Sequence, residues 1–253
     1  MNRTEIAKAV AETSSSWLGP IGQPEPMSTD QSIPQYIRAW YDWAYLDRRN
    51  ARLLDHEAVV TAILFGNSSR LRRAVLSEIA PGQSVLQVAH VYGNLIPQIA
   101  GRLGPDGRLD VIDIVPLQAA RCRHKLHGFP GAHVRVADAS EPGEAVYDVV
   151  NCYFLLHEVP DDRKSAIVNA LLRRVGPGGR VVFVDYHRPA RGHPLRGFYR
   201  RLFERVEPYA LAMWNREIRE YATDASAFDW QKQTMFGGVF QKIVARRADG
   251  KGG

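Results

Sequence analysis

Short apolar runs rich in Val, Ile and Leu recur from residue 84 onward: "SVLQVA" (84–89), "RLDVIDI" (108–114), "HVRVAD" (133–138), "YDVVNCYFLL" (147–156) and "GRVVFVDYH" (179–187). Runs this short and this continuously apolar predict strands buried on both faces. Between them the apolar spacing changes to a helical one, as in "DDRKSAIVNALLRRV" (161–175), with Asp161 as its expected N-cap and the "GPGG" that follows as its stop. Strand and helix in alternation imply a parallel, doubly wound α/β sheet. The last stretch, "FDWQKQTMFGGVFQKIVARR" (228–247), reads as two further strands joined near Gly237 and Gly238. The expected sheet is therefore five parallel strands followed by a C-terminal strand pair.

Ahead of the sheet, "IPQYIRAWYDWAYLDRRNARLLDHEAVVTAILFG" (33–66) has helical spacing, with Pro34 suited to a first turn. Tyr36, Trp40, Trp43 and Tyr45 crowd one part of it. Packed core is one reading of these rings, and a lid over an apolar ligand is the other. The expected organisation is a tail over 1–32 with Ser, Gly and Pro clusters, one domain over 33–246 with cap helices in 33–79 and 188–227, and a disordered end over 247–253.

In open α/β sheets the ligand sits beyond the carboxyl ends of the strands. That rule gathers the loop after Ala89, Asp113 with Ile114, Asp138 with Ala139, and Tyr153 at the end of the fourth strand. Asp113 lies 20 residues beyond Gly93 (113 − 93), where a carboxylate would accept both ribose hydroxyls of an adenosine. Asp138 is placed to accept from the adenine amino group. Each Asp has a plainer reading as a turn or cap residue.

Here the chain resembles the class I S-adenosylmethionine-dependent methyltransferases. Their motif D/E-x-G-x-G-x-G falls on Gln87, Val88, Ala89, His90, Val91, Tyr92 and Gly93. The acid has become Gln87, and two glycines have become Ala89 and Val91. Glycines there let backbone approach a cofactor closely, so the cofactor must lie differently or the site must be dead. His90 and Tyr92 add groups able to coordinate, hydrogen-bond or stack.

Four segments taken together, "VYGNLIPQIA", "DVVNCYFLLHEVP", "VVFVDYHRP…HPLR" and "FGGVFQKIVA", are similar to the rhodoquinone-biosynthesis family of methyltransferase relatives, over about residues 28–246. The resemblance implies conversion of ubiquinone to rhodoquinone, with S-adenosylmethionine donating nitrogen and Mn²⁺ assisting. The altered loop is then a retooled site in which His90, Tyr92 and His157 carry chemistry. His157 with Glu158, and Asp185 with His187, are the expected manganese ligands, since a mixed His and carboxylate set suits that ion. His90 and Tyr92 compete for that role, and the plainer reading makes Asp185 and His187 structural hydrogen-bonders and His157 a capping residue. A conventional quinone or lipid methyltransferase, and a non-catalytic quinone- or nucleotide-binding protein, are the rival functions.

Charge changes the picture at one place. The chain is +6 overall, and residues 188–205 hold six Arg against one Glu, net +5, interleaved with Leu195, Phe198, Tyr199, Leu202 and Phe203. A solvated cap helix is one reading. An interfacial helix on an anionic membrane is the other, each basic residue near the surface contributing about 1 kcal/mol. No nucleic-acid recognition motif is present. No apolar run reaches the roughly 20 residues that span a bilayer, and residues 1–19 lack the apolar core of a secretory signal. With Cys122 and Cys152 inside regular elements, the expected setting is cytoplasmic, peripheral to the inner face of the membrane, free of disulfides.

Overall fold

A computed structural model describes residues 33–248; the stretches 1–32 and 249–253, where the sequence predicts mobile ends, lie outside the described residues. Seven strands form one sheet: β1 (Ser84–Val88), β2 (Arg108–Asp113), β3 (Ala132–Val136), β4 (Tyr147–Tyr153), β5 (Val175–Tyr186), β6 (Phe228–Met235) and β7 (Phe240–Arg247). Their order is β3-β2-β1-β4-β5-β7-β6. β1 to β5 are parallel, and β7 runs antiparallel between β5 and β6. This is the class I methyltransferase sheet. β7 continues through Arg247, one residue into the segment expected to be disordered.

Alternation sorts each strand between two cores. Val85 of β1, Val182 and Val184 of β5 and Phe240 of β7 face one cluster, with Leu71, Ile96, Ile99, Tyr199 and Phe203. Leu86, Val88, Val181 and Phe183 face the other, with Ile167, Val168 and Leu171 of the helix Asp161–Leu172. Two local expectations fail. Pro160, not Asp161, occupies the N-cap position, and Asp161 sits inside the first turn, where it binds Lys164 Nζ at 2.9 Å. The glycines of "GPGG" do not stop the helix but open β5. Gly179 is needed there because a Cβ would stand 2.9 Å from the Asp148 carbonyl oxygen.

Helices from the two segments that flank the parallel strands pack together. Helices Gln35–Trp40, Asp42–Tyr45, Arg48–Leu54 and Glu57–Ile63 precede the sheet, and helix Arg196–Val206 follows β5. They meet through Tyr41 Oη, which donates to Glu207 at 2.6 Å, and through Tyr36 edge-on to Tyr209 at 6.4 Å. No helix among the described residues is long and apolar enough to cross a membrane.

Candidate active site

The loop after β1 keeps the backbone shape of a glycine turn with few of its glycines. Ala89 has φ +64° and Gly93 has φ +81°. A left-handed conformation costs a residue bearing a Cβ about 1–2 kcal/mol. Ala89→Gly is therefore expected to raise stability by about 1 kcal/mol, read from the urea midpoint; an unchanged or lower midpoint would show that the methyl is held by favourable packing. At Gly93 a Cβ would clash only with the movable end of the Glu57 side chain, at 2.9 Å, so it is the left-handed backbone that favours glycine there.

Gln87 faces the sheet interior and not the cleft. Its Oε1 accepts from Asn151 Nδ2 at 2.5 Å, and its Nε2 donates to the carbonyls of Val88 and Ala89 at 3.0 Å each. The register that pairs β1 with β4 sets Gln87 opposite Asn151. Where the family motif has an acid, this chain has a buried amide that braces the turn.

Asp113, at the end of β2, organises the cleft. Its Oδ2 accepts from His90 N and its Oδ1 from Val115 N, each at 2.7 Å. Burial raises its pKa to about 7, although both amides oppose the rise. Each oxygen retains one lone pair. Ile114 and Val115 pack beneath the aromatic cap helices. Asp138 is tied more tightly, with Oδ1 on Ser140 N and Oγ at 2.8 Å and Oδ2 on Arg163. Burial opposes its ionisation, but these donors prevail and hold its pKa below the usual carboxylate range. Ala139 is half-buried against the second core, and Tyr153 is buried edge-on to Phe154 at 4.9 Å.

The tautomer of His90 follows from its neighbours. Gln118 Nε2 donates to Tyr45 O at 2.8 Å and to Tyr92 Oη at 3.1 Å, so Gln118 Oε1 is an acceptor. His90 Nδ1, 3.1 Å from that oxygen, must carry the proton. Nε2 is left as a buried acceptor with no partner among the described residues. Burial, reinforced by Lys125, lowers the His90 pKa to about 4, so the ring is neutral near pH 7. Tyr92 is a structural donor, with Oη on Ala44 O at 2.6 Å and its ionisation suppressed by burial.

At the neighbouring strand ends, the short helical turn Leu156–Glu158 after β4 and the end of β5 bring His157 and Asp185 together. His157 Nδ1 lies 2.8 Å from Asp185 Oδ1, and Asp185 also accepts from the amides of Leu156 and Tyr186. Burial would lower the His157 pKa, but the adjacent Asp185 outweighs it and lifts the value to about 9. Glu158, 3.8 Å from His157 Nε2, is pushed up to about 8 by burial against the pull of that imidazolium. These shifts have one sign. His157, Glu158 and Asp113 all have folded values above their unfolded ones, so their stabilisation is complete below the unfolded values of 6.5, 4.5 and 3.8 and is lost by about pH 9, 8 and 7 respectively. His90 works the other way, losing stability only as pH falls from 6.5 toward about 4. Stability is thus expected to decline steadily from pH 6.5 to 9 in thermal melts; a flat profile would contradict the assignment.

His187 does not join them. It hydrogen-bonds Gly238 O at 3.1 Å and faces Lys232 and Glu217 on the β6–β7 side. The strand ends at Tyr186, so the alternation that would have aimed residues 185 and 187 together stops short. The expected manganese set of His157, Glu158, Asp185 and His187 is not assembled, nor is the His90 and Tyr92 alternative. Among the described residues no three His, Cys, Asp or Glu side chains form a metal site. The residues present do not fit Mn²⁺.

Several participants give no signal in the sequence. Asp55 accepts from Gly93 N at 3.0 Å and from Arg121 at 2.7 Å, with Lys125 beside it. Glu57 accepts from Asn94 N at 3.2 Å. These carboxylates sit where the helix Leu95–Leu103 begins and its dipole favours negative charge. Tyr45 lies between the two halves, its carbonyl on Gln118 and its hydroxyl on Glu158. Tyr41, Tyr45, Tyr92 and His90 follow one another at 5.8–5.9 Å, tilted and then edge-on, so the aromatic segment packs over the loop after β1, as both the packed-core and the lid readings expect.

Residues 85–179 match the family described as a methyltransferase domain. The chain is 32% identical over 119 residues to the ubiquinone/menaquinone biosynthesis C-methyltransferase UbiE of Idiomarina loihiensis, covering 45% of this chain and 46% of that protein. It is 32% identical over 109 residues to the ubiquinone biosynthesis O-methyltransferase of Photorhabdus laumondii, covering 42% and 44%. The chain thus spans a little under half the length of these curated relatives. Among solved structures, an O-methyltransferase family protein from Burkholderia thailandensis superposes with TM-score 0.62 at 15% identity, over 81% of this chain and 61% of that one. The N-methyltransferase NodS of Bradyrhizobium japonicum, in complex with S-adenosyl-L-homocysteine, does so with TM-score 0.55 at 14% identity, over 85% and 100%. S-adenosylmethionine, the cofactor implied by the domain, fits the donor set on one count above all: the unpartnered His90 Nε2 and the spare lone pairs of Asp113 are acceptors waiting for N–H or O–H donors.

Proposed function

We propose that this chain is an S-adenosylmethionine-dependent transferase acting on the ring of a ubiquinone-type quinone, and that it transfers the cofactor's amine to give rhodoquinone. The single observation behind the choice of amine is His90 Nε2, a neutral, buried acceptor in the loop where the methyltransferase motif has bare backbone. When bound, the cofactor would supply the nitrogen: its amine would bond to the methoxy-bearing ring carbon, which is open to amines as a vinylogous ester, as methoxide leaves, and its own Cα–N bond would then break with loss of a Cβ proton, a redox-neutral elimination that leaves the amine on the ring. Asp113 accepts from the ribose hydroxyls, and Asp138, held by Arg163 and Ser140, stands beyond β3 for the adenine end. His90 accepts a hydrogen bond from the α-amine and aims it; with its pKa near 4 it orients and does not take the proton.

His157, kept protonated by Asp185, replaces the metal the resemblance implies. An imidazolium at that position polarises the quinone carbonyl and can give its proton to departing methoxide, a contribution typically of 10²–10⁴ in rate. The lid must lift for either ligand to enter, and its closure over the strand ends then excludes water.

A second reading, ordinary methyl transfer, is supported by the names of the relatives and by the same His157–Asp185 pair acting at a ring hydroxyl. One experiment separates the two. With cofactor labelled at both amine nitrogen and sulfonium methyl, the amine reading expects nitrogen label and no methyl label in the quinone by mass spectrometry. Methyl label without nitrogen label would establish the second reading instead.

A further inference from the structure

Away from the cleft, three large apolar side chains stand in solvent at one corner: Ile63 at 48% exposed, Phe65 at 39% and Phe198 at 50%. Phe65 ends the helix Glu57–Ile63 with φ +50°, followed by Gly66 at φ +77°, whose amide closes on Thr61 O at 2.8 Å. A bulky side chain in the left-handed region is uncommon, and here the strained turn holds an aromatic ring out of the core. Phe198 comes from another element, the helix Arg196–Val206, and meets Phe65 edge-on at 5.9 Å. Phe65 also lies 5.3 Å from buried Tyr199 and 6.3 Å from half-buried Phe236, so an aromatic bed supports the exposed pair.

Positive charge surrounds this knob. Helix Arg196–Val206 holds four Arg against Glu204, net +3, and Phe198, Arg201 and Arg205 follow one another on its exposed side. On the other flank an open groove of about 370 Å³ is lined by Arg70, Arg73, Lys242, Ser77, Gln233 and Met235. It adjoins the knob through Phe236, which follows Met235 in the chain and stacks on Phe65. Lys242 is engaged by Glu78 at 2.6 Å, but Arg70 and Arg73 are exposed and meet no carboxylate among the described residues.

We infer that this corner is a docking surface for an anionic lipid bilayer, in which Phe65, Phe198 and Ile63 enter the headgroup boundary while Arg70, Arg73, Arg201 and Arg205 hold lipid phosphates. Charge complementarity selects the occupant. An apolar tip alone would suit any apolar partner, whereas a tip ringed by arginines matches a surface that is apolar within and negative outside. The assignment stands apart from the chemistry of the cleft and does not depend on which group is transferred.

The test uses the full chain and sedimentation with vesicles of phosphatidylcholine alone or mixed with phosphatidylglycerol. Expected are binding to the mixed vesicles only, a several-fold loss in Phe198→Ser, and a several-fold loss in Arg70→Glu/Arg73→Glu. Arg123→Glu, on the helix beside β3 at the far sheet edge, should bind like the parent. Added inorganic phosphate should not displace the protein beyond what sodium chloride of equal ionic strength does. Equal binding to both vesicle types would overturn the proposal. So would an unchanged Phe198→Ser, which would leave no inserted side chain, an Arg123→Glu loss matching the groove variant, which would mean diffuse charge, or specific displacement by phosphate, which would make the groove a free-anion site.

Discussion

Asp185→Asn is expected to unfold at markedly lower denaturant, by about 3–5 kcal/mol, because breaking one side of a buried ion pair leaves the other charge uncompensated. His157 and Asp185 are both buried, and the imidazole meets the carboxylate at 2.8 Å. The same change should drop the His157 pKa from about 9 to below the ordinary histidine value, since burial then acts unopposed. An imidazole titration by NMR reads this directly. Turnover near pH 7 should fall along with it, since a neutral His157 neither polarises a carbonyl nor supplies a proton. His187→Ala is the comparison: partly exposed and bonded chiefly to Gly238 O, it should cost little in stability or turnover. If the two variants lost turnover together and His157 titrated as before, the two residues would be acting as co-ligands of one ion, and the dyad assignment would fail.

Asp113→Ala is expected to be nearly as damaging, for a different reason. The carboxylate caps two buried main-chain amides, and leaving a buried donor without an acceptor costs about 1–3 kcal/mol each. The loop carrying His90 would lose its anchor to β2, so S-adenosyl-L-homocysteine binding should disappear in calorimetry at temperatures where the variant is still folded. Asp138→Ala removes a carboxylate that is partly exposed and held by Ser140 and Arg163, and should weaken binding without loosening the loop. Wild-type affinity in a folded Asp113→Ala protein would remove Asp113 from the cofactor site.

The two variants also separate what was legible along the chain from what was not. Asp113 is legible because the rule locating it is local: a carboxylate ending the second strand at a set distance from the loop glycine. His157 and Asp185 are each visible as polar residues closing apolar runs. Their partnership is not, because it joins residues 28 apart through the register of β4 on β5. Reading them as metal ligands with His187 assumed one more residue of strand than the chain forms. Gln87 appears as a defect in a motif until its side chain is seen braced against Asn151. Gln118, which dictates the tautomer of His90, carries no mark in the sequence.

What the sequence determined by itself is the set of strands, their order along the chain and the odd loop after β1. Those depend on alternation and turn chemistry within a few residues, which any reader of the chain can follow. The tertiary structure decided the rest: that Tyr45 closes on Glu158 across 113 residues, that Asp55 and Glu57 reach the start of the helix after β1, and that Phe65 and Phe198 meet in solvent. Contacts of that kind are set by which faces pack once the sheet is built, and burial then sets the charge each group carries. His90 and His157 have the same side chain and the same ordinary pKa, yet one is held neutral and the other charged, because only the His157 imidazole was folded onto a carboxylate while that of His90 meets an amide.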